Sequence, residues 1–280
     1  MTGTIKLAGA QWTWVGTSFA ESAGIYRALG VEAMDLIAMP GAGLTADGLT
    51  SDPQGHATQV RDLDIKLVNL IVLLGEDFAD NAINSVDESV RKRNRDRIAR
   101  IVEFCAAAGL RSLTLLPGVE HDGMSREEAQ AIAAEELHAA DEIAAAAGIA
   151  MVFEPHRESV LERPDETIKF MSRHPDLKIC VDYAHCVSIG HKADELHPLL
   201  PYAGHVHLRQ GANEKIQARW DEGEIDFPDL MRRLQETGYD GYATLEYEHE
   251  EFWDMDKCDV MTETIKMRDA VLPFTDKKAD

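Results

Sequence analysis

The chain has 280 residues, and 28 lysines and arginines against 50 aspartates and glutamates give it a formal net charge of −22. Such acidity argues against a nucleic-acid partner, because proteins that bind a phosphate backbone usually carry a basic surface. No stretch approaches the roughly 20 apolar residues of a membrane span, and the segment 1–7 lacks the apolar core of a signal peptide. We therefore expect a cytoplasmic protein with no nucleic-acid partner and no membrane partner.

The predicted elements alternate strand and helix along the chain. Strands are predicted near 5–10, 31–37, 65–73, 111–116, 149–154, 178–182, 203–208 and 241–247. Helices are predicted after Ser18 and Ser125 and over 86–108, 164–173, 191–199, 227–237 and 256–271, with a weaker one near 53–62. Eight such units predict a (β/α)8 TIM barrel of the α/β class, as one domain over 1–272 with a polar tail over 273–280.

The boundaries of these elements carry their own signals. A glycine placed to end a helix directly precedes a strand at Gly30, Gly109, Gly148 and Gly238. Capping boxes at Ser18–Glu21 and Ser125–Glu128 predict two helix starts. An open nucleotide-binding sheet is disfavoured because the segment 9–14, after the first strand, has neither GxGxxG nor GxxxxGK[ST].

Four cysteines lie at positions 105, 180, 186 and 258, without CxxC spacing. Cys105 and Cys180 fall in apolar helix and strand patterns. This placement favours reduced core cysteines over a disulfide framework.

The last four predicted strands each end on a residue that can bind a metal: Glu154, Asp182, His207 and Glu246. Parallel strands in a barrel bring their carboxyl ends to one face, so these side chains are expected to converge. Two glutamates, one aspartate and one histidine form a set suited to a divalent cation. Any one of them could instead cap a helix or form a salt bridge. His205 lies on the same side of its strand as His207, so either histidine could be the ligand.

The motifs around these residues resemble the sugar-phosphate isomerase/epimerase family of xylose-isomerase-like barrels. The chain is similar to ketose 3-epimerases and to inosose isomerases and dehydratases. The resemblance is carried by Phe153–Pro155, Val181–His185, His205–Arg209, Glu222–Phe227 and Gly238–Glu246. These segments span the C-terminal half of the chain, and the N-terminal half matches only in its alternation of strands and helices.

The resemblance implies one divalent metal, most often Mn²⁺, with Mg²⁺, Co²⁺ and Zn²⁺ as alternatives. Its implied ligands are Glu154, Asp182, His207 and Glu246. The resemblance also implies that His185 contacts substrate. An arginine after the seventh strand is implied to do the same, and Arg219 matches better than Arg209.

Further candidates lie in loops near the expected site. His156 follows Glu154 in the loop that should cover it, with a plain surface histidine as the alternative. Trp12 and Trp14 follow the first strand and could pack against a sugar face, or serve only as large core residues. His121, after the fourth strand, is a weaker candidate.

A divalent cation that binds two adjacent oxygens of a hydroxy-ketone would polarise the carbonyl and stabilise an enediolate. Glu154 and Glu246 could remove and return the proton on the neighbouring carbon, while His185 and Arg219 hold substrate oxygens. The sequence thus predicts an isomerase or epimerase that acts on a keto-sugar or related polyol ketone.

Three alternatives remain open. The same enediolate could expel a β-substituent, and His156 as an extra acid–base group would favour such a dehydratase or lyase. An abasic-site endonuclease would need more metal ligands than the third, fourth and seventh strand ends offer. A sugar-binding protein without catalysis would bind no metal or turn over no ketose. The basic stretch 91–97 predicts a solvated helix face or a subunit contact, and we expect a homo-oligomer.

Overall fold

The structure is a computed structural model that describes residues 3–276. Eight parallel strands close a barrel in chain order, and β8 pairs with β1. The strands are β1 (Lys6–Ala10), β2 (Ala33–Ala38), β3 (Lys66–Val72), β4 (Ser112–Leu115), β5 (Ala150–Phe153), β6 (Ile179–Val181), β7 (Ala203–Leu208) and β8 (Tyr242–Leu245). The (β/α)8 prediction is confirmed, and β2 alone leaves its predicted range, by one residue at its carboxyl end.

Helices alternate with these strands. The α-helices are α1 (Phe19–Ala28), α2 (Ala46–Ser51), α3 (Pro53–Val60), α4 (Glu88–Ala108), α5 (Arg126–Ala146), α6 (Pro164–Arg173), α7 (Tyr183–Val187), α8 (Phe227–Glu236) and α9 (Val260–Val271). Short 3₁₀ segments cover Gln11–Thr13, Ala193–Tyr202, Trp220–Glu222, Phe252–Lys257 and Leu272–Phe274. The short helices α2 and α7 lie outside the predicted ranges.

The prediction of an α-helix over 191–199 is wrong. The chain there forms a 3₁₀ segment that contains Pro198 and Pro201. A proline has no amide hydrogen to donate and clashes with the preceding helical turn, so a regular α-helix does not form there.

The predicted helix boundaries are confirmed where they rest on local chemistry. Gly30, Gly109, Gly148 and Gly238 all have φ between 73° and 83°, the left-handed conformation that glycine adopts without steric cost. The capping boxes at Ser18 and Ser125 are both formed.

Two side chains of the basic stretch 91–97 pack against a neighbouring helix. Arg91 and Arg95 on α4 bind Glu136 of α5, at 3.2 and 2.7 Å, and the Glu136 side chain is only 2% exposed. Both arginines therefore join α4 to α5.

Near the two limits of the described range, Thr275 forms a parallel bridge with Ile5, beside β1. The predicted tail over 273–280 lies partly outside the described residues, and the domain boundary at 272 stays a prediction. The four cysteines are buried and free. Among residues 3–276, no helix is long and apolar enough to cross a membrane.

Candidate active site

The four predicted metal ligands lie at the carboxyl ends of neighbouring strands. Glu154 directly follows β5, Asp182 follows β6, Glu246 follows β8, and His207 is the penultimate residue of β7. Each of these residues is at most 4% exposed. Parallel pairing of β5 through β8 places them at one level of the barrel, as the sequence predicts.

His207 is the centre of this group. Its Nδ1 lies 2.9 Å from Glu154 Oε1 and 3.2 Å from Glu246 Oε2. Asp182, His207 and Glu246 each offer a ligand atom, and these atoms all lie within 4.8 Å of one another. The structure therefore brings the four side chains together, whereas their role as metal ligands stays a prediction.

His205 points into a separate hydrogen-bonded group within the barrel. Its Nε2 lies 2.6 Å from Asp35 Oδ2 and 3.1 Å from the hydroxyl of Thr244. The same Asp35 oxygen lies 3.7 Å from His207 Nε2. Asp35 thus lies on the Nε2 side of the His207 ring without a hydrogen bond to it, and Nδ1 faces the two glutamates.

The donor set fits a divalent cation. Glu246 Oε2 is buried and accepts no hydrogen bond from any residue in the described range. Burying a carboxylate oxygen that accepts no hydrogen bond costs free energy. A cation beside His207 Nδ1 would satisfy this oxygen and would relieve the crowding of three carboxylates.

Burial and neighbouring charge set the protonation of these groups. Burial would raise the pKa of Glu154, but the charge and hydrogen bond of His207 outweigh it and lower the pKa to about 2. Burial would lower the pKa of His207, yet the acidic groups of Cys180, Glu246 and Glu154 raise it well above its ordinary value. Burial raises the pKa of Asp182 to about 6, although Arg209 opposes the shift.

Arg209, rather than Arg219, lies in the site. Its side chain is 3% exposed, and it donates from Nη2 to Asp182 Oδ2 at 2.7 Å and from Nη1 to Glu248 Oε1 at 2.6 Å. Arg219 precedes the 3₁₀ segment Trp220–Glu222, is 60% exposed and faces Glu222 at 3.8 Å. The expectation that Arg219 reaches the site is corrected, because the loop after β7 directs that side chain to solvent.

An open cavity of about 650 Å³, including its mouth, lies above these side chains. Apolar residues from the first four strand ends form one wall: Trp12, Ile37, Met39, Ile71, Val72, Leu73, Phe78 and Leu116. Polar residues from the last four strand ends form the other: Glu154, His156, His185, Arg209, Glu246 and Glu248. Phe252, Trp253 and Met255 complete the lining.

His156 and His185 meet on the polar wall, with ring centroids 3.9 Å apart. Burial lowers the pKa of both rings, so both are neutral near pH 7. His185 Nε2 lies 3.3 Å from Arg209 Nη2 and 3.4 Å from Asp182 Oδ2. Its other ring nitrogen, Nδ1, is buried and has no hydrogen-bond partner among the described residues.

The remaining candidates are divided between the cavity and the core. Trp12 lines the cavity, and its ring lies 6.0 Å from that of His207. Trp14 is instead a core residue, 7% exposed, whose ring packs 5.5 Å from that of Tyr26. It does not line the cavity, so of the two interpretations of Trp14 the structure favours the large core residue. His121 lies outside the cavity lining, with its Nε2 3.2 Å from Asn84 Oδ1.

Sequence reasoning missed Asp35 and Glu248. Asp35 ends no apolar run, and its partner His205 lies 170 residues away, so no local pattern indicates the contact. Glu248 could have been found, because it lies two residues after Glu246 and alternate residues of an extended chain face one side.

Residues 25–269 match the protein family described as Xylose isomerase-like TIM barrel. The chain belongs to this family. The recognition made from the sequence motifs is confirmed, and the match extends well into the N-terminal half of the chain.

Two curated relatives match about half of the chain. A Homo sapiens protein provisionally named hydroxypyruvate isomerase is 25% identical over 169 residues, or 55% of this chain and 60% of that protein. The 2-oxo-tetronate isomerase of Cupriavidus necator is 26% identical over 166 residues, or 55% of this chain and 61% of that protein. The chain thus spans about 60% of the length of the curated relatives it matches.

Two solved structures share the fold over nearly the whole chain. L-ribulose 3-epimerase has a TM-score of 0.73 at 16% identity, covering 96% of this chain and 94% of that chain. The IolI protein, solved with a zinc atom, has a TM-score of 0.73 at 14% identity, covering 98% of this chain and 100% of that chain. These likenesses show the barrel fold.

Proposed function

We propose that the protein is a metal-dependent isomerase or epimerase that acts on a keto-sugar or related polyol ketone. The observation that carries the proposal is the approach of Glu154 Oε1 and Glu246 Oε2 to the same nitrogen of His207, with Asp182 alongside. Both curated relatives are named as isomerases, and one of the solved proteins with a similar fold is named as an epimerase. These names agree with proton transfer next to a carbonyl.

Glu154, Asp182, His207 and Glu246 would hold one divalent cation. Mn²⁺ is our first candidate, and the zinc atom in the IolI structure makes Zn²⁺ the second. Once bound, the cation would polarise the substrate carbonyl and offset the negative charge that follows proton removal.

The two glutamates are the proposed acid–base pair. Because the pKa of Glu154 is about 2 in the metal-free protein, its carboxylate is ionised at neutral pH, which is the protonation state that a general base requires. Glu246 follows β8 and Glu154 follows β5, so the two carboxylates approach the cavity from different strands. One removes the proton from the carbon next to the carbonyl, and the other returns a proton to give the epimer or the shifted carbonyl.

His185 contacts the substrate in this proposal, while Arg209 holds Asp182 and Glu248 in place beside it. The Nδ1 atom of His185 is buried without a hydrogen-bond partner among the described residues, and a substrate hydroxyl would satisfy it. Trp12 and the apolar wall would pack against the carbon face of the substrate and keep water from the reacting carbon.

Elimination by a dehydratase or lyase is the second candidate function. The observation that favours it is the neutral His156 ring, which lines the cavity 3.9 Å from His185. This ring could take up the proton from the carbon next to the carbonyl and then, as an imidazolium, give it to the leaving hydroxyl, which departs as water. Both reactions begin with the same proton removal, so they differ only in the fate of the enediolate.

Solvent exchange tests the shared first step. The metal-loaded protein is incubated in D₂O with a panel of ketoses and keto-inositols, and we expect deuterium to enter next to the carbonyl of at least one of them. An epimer or shifted carbonyl among the products supports isomerisation, whereas an unsaturated product supports elimination. No exchange with any member of the panel would contradict the proposal.

A further inference from the structure

Glu248 is a carboxylate in the cavity wall to which the proposed reaction gives no task. Its side chain is 17% exposed, compared with 5% or less for Glu154, Asp182 and Glu246. It is therefore the carboxylate of the site that a substrate meets first.

The Glu248 backbone is held in place by a buried amide. The Gln217 side chain accepts from the Glu248 N–H at 2.8 Å and donates to the Glu248 carbonyl at 2.7 Å. It also donates to the carbonyl of Met255 at 2.7 Å. Gln217 is only 5% exposed, so these three hydrogen bonds fix where the Glu248 carboxylate enters the cavity.

The cation that lines the cavity is already engaged. Among the lining residues, Arg209 alone is a lysine or arginine. Its two terminal nitrogens donate to Asp182 and Glu248. An end-on bidentate grip on a substrate carboxylate uses both Nη1 and Nη2, so Arg209 would have to give up its buried partners to provide it, which is costly. Its Nε is buried and has no hydrogen-bond partner among the described residues.

The charge balance points the same way. When all four are ionised, the carboxylates of Glu154, Asp182, Glu246 and Glu248 exceed by one the three positive charges of a divalent cation and Arg209. The opposite wall is apolar. A further anion in this cavity would be desolvated without a free counter-charge, whereas a substrate hydroxyl can donate to Glu248.

Arg157 is an arginine beside the cavity. It lies 5.3 Å from the ring of Trp253, a lining residue, and is not itself among the residues that line the cavity. An anionic substrate would therefore need to reach outward to this residue, away from the metal ligands.

We infer that Glu248, held by Gln217 and paired with Arg209, is a specificity-determining residue that selects an uncharged polyhydroxy ketone and rejects a 2-oxo acid. This inference rests on the proposed function and narrows its substrate class. It also separates this chain from its two curated relatives, whose names specify the 2-oxo acids hydroxypyruvate and 2-oxo-tetronate.

Matched substrate pairs test the inference. Dihydroxyacetone and hydroxypyruvate differ only by a terminal hydroxymethyl group in place of a carboxylate, as do erythrulose and 2-oxo-tetronate. We expect kcat/KM for solvent exchange to favour the ketose of each pair by at least tenfold. Glu248→Gln should reduce that preference by tenfold or more, and Glu251→Gln, on the exposed part of the same segment, should leave it unchanged.

A second measurement does not depend on turnover. The shift in melting temperature of the metal-loaded protein is recorded with each member of a pair. We expect the ketose to give the larger shift in the wild-type protein, and Glu248→Gln to narrow the difference. If no compound exchanges deuterium, the proposed function fails, and these shifts still decide whether Glu248 selects against anions.

Two outcomes would overturn the inference. One is a wild-type preference for the 2-oxo acid, with Arg157→Gln abolishing its binding. The other is a Glu248→Gln variant that keeps the wild-type preference for the ketose over the 2-oxo acid, both in kcat/KM for solvent exchange and in the shift of the melting temperature.

Discussion

The two walls of the barrel mouth differ sharply although the same kind of unit builds both. The ends of β1 to β4 supply Trp12, Ile37, Ile71 and Leu116, whereas the ends of β5 to β8 supply the carboxylates, the histidines and Arg209. The barrel thus separates an apolar wall, which shapes the cavity, from a polar wall, to which we assign the proposed chemistry. Variants of the polar wall should change the rate, and variants of the apolar wall should mainly change stability and affinity.

The largest expected effect comes from the polar wall. Glu246→Gln removes a proposed ligand and proton carrier, and we expect solvent exchange to fall by about 10²- to 10⁴-fold. Exchange rates in D₂O measure this, with the exposed Glu251→Gln as the matched control. Full turnover with full metal occupancy in Glu246→Gln would contradict the role of the polar wall.

Metal removal should lower the exchange rate by a comparable factor. Dialysis against a chelator should slow exchange about as much as Glu246→Gln does, and returning Mn²⁺ should restore it, which it cannot do for the substitution. A cation that binds only the folded protein stabilises it by about 2.7 kcal/mol when its free concentration is 100 times Kd. We therefore expect a melting temperature several degrees higher with metal, measured by calorimetry. Equal melting temperatures with and without the ion would contradict metal binding.

This stabilisation should depend on pH. Because the folded-state pKa of Asp182 is raised to about 6, its protonated form stabilises the metal-free protein at low pH. That contribution is lost as pH rises through 6. The metal competes with this proton and with the proton of His207. The metal affinity should therefore fall about tenfold for each unit decrease in pH and for each proton displaced. Titrations from pH 5 to 8 measure it, and a flat profile would contradict competition at these residues.

The apolar wall should give a smaller effect on rate. Ile71→Ala removes packing from the cavity lining, and we expect a loss of about 1–3 kcal/mol in the free energy of unfolding. The exchange rate at saturating substrate should fall less than tenfold. Denaturant unfolding and exchange assays measure the two quantities. A loss as large as that of Glu246→Gln would place the apolar wall in the chemistry.

The smallest effect is expected at Arg219. Its side chain is exposed and faces Glu222, so Arg219→Ala should change exchange kinetics by less than about twofold, because surface pairs of this kind contribute little. Arg209→Lys, which keeps the charge but loses the two-pronged contact with Asp182 and Glu248, should lower the exchange rate more. The reverse order would restore Arg219 as the substrate arginine.

The barrel and the converging side chains could both be predicted because each depends on local patterns in the sequence. Apolar runs marked the strands, and Glu154, Asp182 and Glu246 directly follow their strands. Parallel pairing then decides that such residues meet.

The failures have a different physical origin. Whether Arg209 or Arg219 enters the site depends on the path of the loop after β7, which no periodicity specifies. Trp12 and Trp14 are two residues apart, yet the 3₁₀ turn Gln11–Thr13 sends only Trp12 to the cavity. The contact of Asp35 with His205 joins β2 to β7 across the barrel and is visible only in three dimensions.

The most direct test of the account is to locate a metal in crystals of the protein grown with Mn²⁺, by anomalous scattering. We expect one ion per chain, bound by Glu154, Asp182, His207 and Glu246 at about 2.0–2.6 Å. No ion at saturating Mn²⁺ would contradict the account. So would an ion held by Asp35, His205 and His207 without Glu154 or Glu246.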